Sequence, residues 1–74
     1  MNLQQQWGSN LRAARQVQGL SLGKLSRLVD MDASGLSKVE RGIHGASDDM
    51  RIRLANALGV RVEDIWTYPS EVAS

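Results

Sequence analysis

The stretch Ser21–Arg41, SLGKLSRLVDMDASGLSKVER, decides how this chain is read. Leu25, Leu28 and Val29 form an apolar stripe at helical spacing in its first half, and Leu36 and Val39 repeat the pattern in the second. Ser21 and Asp32 stand just before the two stripes, where a side-chain oxygen caps orphan backbone N–H groups. The spacing therefore predicts two short helices joined by a tight turn. On the second, Ser34, Ser37, Lys38 and Arg41 recur at i, i+3, i+4 and i+7 and share one face. That face is small except for two long cations. Two readings fit it. It suits a helix lying in a DNA major groove, with Lys and Ser donating to base edges. It also suits an ordinary solvated surface.

Length and composition narrow the choice. A chain of 74 residues has room for one small domain with a marginal core. There is no Cys, so no disulfide or thiolate metal site supports that core, which fits a cytoplasmic location. No apolar run exceeds two residues, so neither a membrane span nor a signal-peptide core is present. The formal net charge is only +1, but it is unevenly spread. Arg12, Arg15, Lys24, Arg27, Lys38 and Arg41 outnumber the carboxylates of Met1–Ser47. Asp48, Asp49, Glu63, Asp64 and Glu71 outnumber the arginines of the remainder. The basic half is the one that holds the helix pair, the asymmetry that a nucleic-acid face needs.

The chain then reads as follows. Met1–Gln6 is polar and is expected to be frayed. Trp7, Leu11 and Ala14 predict a first helix over about Gln4–Gln18, ended by Gly19. Gly35, in the first turn of the third helix, costs about 1 kcal/mol relative to Ala. It is either a tolerated surface residue or a place for close approach to DNA. Ser47 predicts the cap of a fourth helix, with Asp48 and Asp49 suiting its dipole. Leu54, Ala55 and Leu58 are its expected buried stripe, with Met50 and Ile52 beside it, and Gly59 its end. Arg51 is expected to lay its stem over the edge of the core. Val60, Val62, Ile65 and Trp66 close the core in a last short helix, and 68–74 reads as a tail. His44 sits alone in a loop without a second ligand, so no metal site is expected. With one His and no Gly-rich phosphate loop, an enzyme and a cofactor are not expected either.

Several residues taken together resemble the Cro- and lambda-repressor-like helix-turn-helix family, the XRE type. They are Arg15, Gly19-Leu20-Ser21, Leu25, Leu36-Ser37, Val39-Glu40-Arg41-Gly42 and Leu54-Ala55-Asn56-Ala57-Leu58-Gly59-Val60. The resemblance covers roughly Trp7–Trp66. It implies an all-α fold, a compact five-helix DNA-binding domain over residues 7–67, acting as a homodimer on a palindromic operator. Base reading falls to Ala33, Ser34, Ser37 and Lys38, with Ala33 against a thymine methyl. Phosphate contacts fall to Ser21, Lys24, Arg41 and the His44 loop, extended by Arg12 or Arg27. Arg15 and Glu40 match a partly buried ion pair that ties the first helix to the third. The chain departs from the family at Leu22, where many relatives have Gln, and at Asp30, where Gly is commoner. Asp tolerates the left-handed turn. Asp48 and Asp49 stand where the family brings a helix start near phosphates. The low net charge, Leu22, Leu28 as a solvent-side candidate and Asp48-Asp49 favour a second reading, a protein-interaction module on the same scaffold with a second protein as partner, antitoxin-like or an adaptor. A dimer surface is expected at the end of the fourth helix and over Val62–Tyr68, with Tyr68 and Trp66 as anchors unless Trp66 is simply core, the two readings of Trp66 being equally open.

Overall fold

The structure is a computed structural model, and it describes residues 2–69. It contains five helices and no strand among the described residues: α1 (Leu3–Val17), α2 (Leu22–Leu28), α3 (Ala33–Glu40), α4 (Asp48–Leu58) and α5 (Val62–Ile65). The all-α architecture agrees with the sequence reading. Helix α1 starts earlier than expected. Asn2 and Gln5 form a reciprocal capping box, with Gln5 N–H donating to Asn2 Oδ1 at 2.8 Å and Asn2 N–H to Gln5 Oε1 at 3.0 Å. Helix α1 therefore begins at Leu3, one residue before the expected Gln4, and the segment expected to fray is capped from Asn2 onward. Ser21, Asp32 and Ser47 cap α2, α3 and α4 through their side chains, as the sequence predicts. Gly19 and Gly59 take positive φ and end their helices.

Leu11, Leu25, Leu36, Leu54, Leu58 and Ile65 are almost wholly buried and form one core with Val29, Val39 and Trp66. At about 25 cal/mol per Å² of apolar area, such side chains supply most of the favourable free energy of a domain this small. The structure places three apolar residues whose surroundings the sequence left open. Leu28 lies outside the inward stripe, 56 % exposed at the end of α2, while Leu25, Ser26 and Val29 are buried. Ile52 is also turned out, 52 % exposed, beside the buried stripe of Leu54, Ala55 and Leu58. Trp66 is buried in the core, so it is not available as an interface anchor.

The C-terminal segment is fastened to α1. Asn10 Nδ2 donates to Ile65 O at 2.9 Å, and Trp7 Nε1 donates to Thr67 O at 2.7 Å. Tyr68 packs edge-on against Trp7, with ring centroids 5.3 Å apart. Tyr68 is thus held to the domain. Ser70–Ser74, the rest of the expected tail, lie outside the described residues. Arg51 follows the expectation of a stem over the core edge and adds to it. Its guanidinium stacks 4.9 Å from the Trp7 ring centroid and 5.6 Å from that of Trp66, and its Nε donates to Ala46 O at 3.1 Å.

Candidate nucleic-acid interface

The turn between α2 and α3 is short because Asp30 takes a left-handed conformation, φ +56°. Met31 N–H then donates to Ser26 O at 2.8 Å, and α3 starts two residues later. The fold thereby presents α3 with Leu36, Val39 and Glu40 buried and Ser34, Lys38 and Arg41 exposed. Ala33 and Ser37 are half-buried on the flanks of the outer face. All four residues expected to read bases therefore lie on or beside one open face. Gly35 is half-buried, and a Cβ there would meet only Met31 Cε, at 3.9 Å, so packing does not require the glycine.

The C-terminal end of α3 is fixed against α1 in three ways. Gly8 lets the α1 backbone lie directly on the Glu40 and Val39 carbonyls; a Cβ at position 8 would stand 2.6 Å from Val39 O and nearer still to Glu40 O. Arg15 grips Glu40 through two hydrogen bonds, Nε to Oε2 at 2.7 Å and Nη2 to Oε1 at 3.0 Å, and its Nη1 donates to Leu20 O at 2.8 Å. Both side chains are largely buried, 12 % and 6 % exposed, and the bond to Glu40 raises the Arg15 pKa further. Gln4 Nε2 donates to Gly42 O at 3.3 Å. Beyond Gly42 the chain curls back, and Ile43 N–H donates to Lys38 O at 2.9 Å, closing the helix end. This brings exposed Ile43 and His44 beside the C-terminal end of α3.

The residues expected to meet phosphates surround that face. Ser21 Oγ accepts from Lys24 N–H at 3.0 Å, so its hydroxyl already serves as a helix cap and still has a proton to donate. Lys24 and Arg27 are exposed on α2. Arg12, Arg15, Leu22, Ser37, Glu40 and Arg41 line a cleft where α1, α2 and α3 converge. Leu22 is half-buried and packs against the core, which is the role its apolar side chain suits.

At the start of α4, Ser47 Oγ accepts from Met50 N–H at 3.2 Å. Asp49 pairs with Arg53 at 3.1 Å along the exposed helix surface, so part of the acidic charge at this end is offset. Such an exposed pair contributes little stability.

One carboxylate on the α3 side passed unremarked in the sequence beyond its cap role. Asp32 Oδ2 accepts from Ser34 Oγ, from Ser34 N–H at 3.1 Å and from Gly35 N–H at 3.4 Å. The Ser34 hydroxyl, ahead of the Gly35 N–H, lowers the Asp32 pKa below its ordinary value of 3.8. The sequence signal was the Asp-Ala-Ser triplet, which puts a hydroxyl within reach of the capping carboxylate.

No cluster of three metal-ligating side chains occurs among the described residues, and no described helix is long and apolar enough to cross a membrane.

Residues 6–65 match the model of a helix-turn-helix domain family. The chain belongs to that family, in its Cro- and lambda-repressor-like form. No curated protein matches the chain. Among solved structures it is similar to the restriction-modification controller protein C.AhdI from Aeromonas hydrophila. That match has 33 % identity over 82 % of this chain and 92 % of that one, with a TM-score of 0.79. It is also similar to the clp gene regulator ClgR from C. glutamicum, at 29 % identity over 88 % and 84 % of the two chains, TM-score 0.82. A hypothetical transcription factor, NHTF, from Neisseria matches at 28 % identity over 92 % and 78 %, TM-score 0.83. The helix-turn-helix unit of this chain is α2, the Asp30 turn and α3. The family and these neighbours are those of regulators, not of enzymes.

Proposed function

We propose that this helix-turn-helix chain is a sequence-specific, duplex-DNA-binding transcriptional regulator that lays α3 in the major groove of an operator. The observation that carries the reading is the division of α3. One face is locked into the core through Leu36, Val39 and the Arg15–Glu40 pair, and the other offers Ser34, Ser37 and Lys38 to a partner. Ala33 adds an apolar contact suited to a thymine methyl, and Lys38 is matched to guanine O6 or N7. Ser21, Lys24, Arg41 and the His44 loop set the register on the phosphates. The family match and the regulatory neighbours support this assignment.

One domain of this size buries roughly 600–1,000 Å² on DNA. Tight occupancy is therefore assigned to a homodimer on a palindrome, with half-sites about 34–36 Å apart. The end of α4 remains the pairing surface of choice. Arg53, Asn56 and Ala57 line a shallow depression there, beside exposed Leu28. The setting is the cytoplasm.

The test is selection of bound sequences from random duplex DNA by the full chain, followed by titration of the selected and scrambled duplexes. A selected duplex bound at least tenfold more tightly than its scrambled form is expected. Equal, weak binding to both would remove the reading. Sedimentation of the complex tests the dimer, and a tight complex with one copy on an asymmetric site excludes it. Exposed Leu28 and Ile52 favour the second reading, a protein-interaction module, which takes over if no duplex is selected.

A further inference from the structure

The base-reading face of α3 begins one residue before the helix, at a group whose chemistry is opposite to that of Lys38. Asp32 is exposed at the tip of α3, next to Ala33 and Ser34. In a helix-turn-helix domain, it is the N-terminal residues of the second helix that reach base edges. All three donors to this carboxylate converge on Oδ2: Ser34 Oγ, Ser34 N–H and Gly35 N–H. Oδ1 accepts from no group among the described residues. The three bonds hold the carboxylate by one oxygen and leave the other, on an exposed side chain, without a donor. They also alter Ser34. With its hydroxyl directed to Asp32, Ser34 turns its lone pairs toward a partner.

We propose that Asp32 and Ser34 act together as an acceptor-only pair that reads the exocyclic amino group of a cytosine. This rests on the assignment of α3 to the major groove and makes it specific. The major-groove edges decide the base. Cytosine presents the N4 amino donor and no acceptor. Adenine sets its N7 acceptor beside N6, guanine presents two acceptors and thymine presents O4. A carboxylate is repelled by each of those acceptors and satisfied by cytosine N4. The negative charge at this position therefore selects against three bases as much as it selects for one. At the other end of the face, Lys38 is a donor-only group. An acceptor at the leading tip and a donor six residues later, nearly two helical turns on, suit a site with cytosine and guanine at separate positions. Ser34 changes from the donor that its residue type suggests to an acceptor, because of its neighbour two positions back.

The experiment compares the wild-type chain with Asp32→Ser, Asp32→Asn and Ser34→Ala. Serine at position 32 keeps a capping oxygen without the charge, so helix α3 keeps its start. Each protein is put through the random-duplex selection, then titrated against the selected duplex and three versions changed at each half-site position in turn. Thermal melts verify folding. For the wild type, one cytosine per half-site is expected, and its replacement by thymine should weaken binding about tenfold, the size of a typical mismatch. Asp32→Ser should lose that discrimination while keeping the preference at the Lys38-dependent position. Asp32→Asn should move the preference toward adenine, since an amide both donates and accepts. Ser34→Ala should reduce the discrimination without inverting it. If a duplex is selected and Asp32→Ser retains every base preference of the wild type, this inference is overturned while the DNA-binding assignment stands. If the wild type selects no duplex, the assignment itself fails and takes this inference with it.

Discussion

Replacing Glu40 by Ala is the perturbation whose cost the structure specifies best. The Arg15 guanidinium makes three hydrogen bonds, two of them to Glu40, and its side chain is only 12 % exposed. Removing the carboxylate leaves Nε and Nη2 without protein partners in a site with little access to water. Breaking one side of a buried pair costs about 3–5 kcal/mol. The lower end applies here, because Arg15 keeps its bond to Leu20 O and some contact with solvent. A loss of about 3 kcal/mol corresponds to a fall of roughly 12–24 °C in Tm for a domain of this length. Glu40→Gln keeps the shape and one acceptor, so it should lose roughly half as much. Arg15→Met combined with Glu40→Leu removes both charges and should recover most of the loss, because the desolvation cost goes with them. Thermal and urea melts of the four proteins read these differences. On DNA, Glu40→Ala should weaken matched and scrambled duplexes alike, because it loosens α3 without touching the base-reading face. A Glu40→Ala protein melting within about 2 °C of the wild type would refute the account, since the pair would then contribute nothing that water does not replace.

Other perturbations test separate parts of the structure. Lys38→Ala should cost about 1–3 kcal/mol on the preferred duplex and relax one base position, while stability, read by thermal melt, stays within about 0.5 kcal/mol. Gly8→Ala places a methyl against the Val39 and Glu40 carbonyls and should destabilise by about 1–3 kcal/mol or more in urea melts, because two backbones have to separate. Asp48→Asn with Asp49→Asn should tighten binding to any duplex and steepen its salt dependence in titrations across a salt series. Asp32 has a lowered pKa owing to the Ser34 hydroxyl first and the Gly35 N–H next. Its contribution to stability is thus complete above its ordinary value of 3.8 and lost as the pH falls through the lower folded value. The Tm gap between the wild type and Asp32→Asn should accordingly shrink as melts are moved from neutral pH into acid.

What the sequence revealed follows from how local each signal is. A capping side chain acts within three residues, so Ser21, Asp32 and Ser47 marked three helix starts that the structure reproduces. Leu36 and Val39 face the core because a period of 3.6 fixes them on one side. The same period leaves Leu28 and Ile52 undecided, because whether an apolar residue at the edge of a stripe is covered depends on what packs beside it. The start of α1 falls within one residue of the expected Gln4, and what polar composition alone does not reveal is the Asn2–Gln5 capping box that orders the first turn. Gly8 was passed over as well. A glycine in a helix interior costs about 1 kcal/mol. The carbonyls that require it belong to α3, some thirty residues away, and only the folded chain brings them together.

The candidate interface divides along the same line. Which residues share the outer face of α3 is a matter of spacing, and Ser34, Lys38 and Arg41 are exposed together. What each side chain offers on that face depends on its own hydrogen bonds. Residue type assigns Ser34 as a donor or an acceptor with equal ease. The Asp32 carboxylate favours the second option by accepting from the hydroxyl, and the two backbone N–H groups at the start of α3 hold that carboxylate in place. Capping and base recognition then make compatible demands on Asp32, because the cap uses one oxygen and leaves the other. A capping Ser would also start α3 but would leave no negative charge at its tip. The choice of Asp over Ser therefore adds a charged cap whose stabilising effect is lost in acid, and in the proposed groove reading it also bears on which bases the helix can approach.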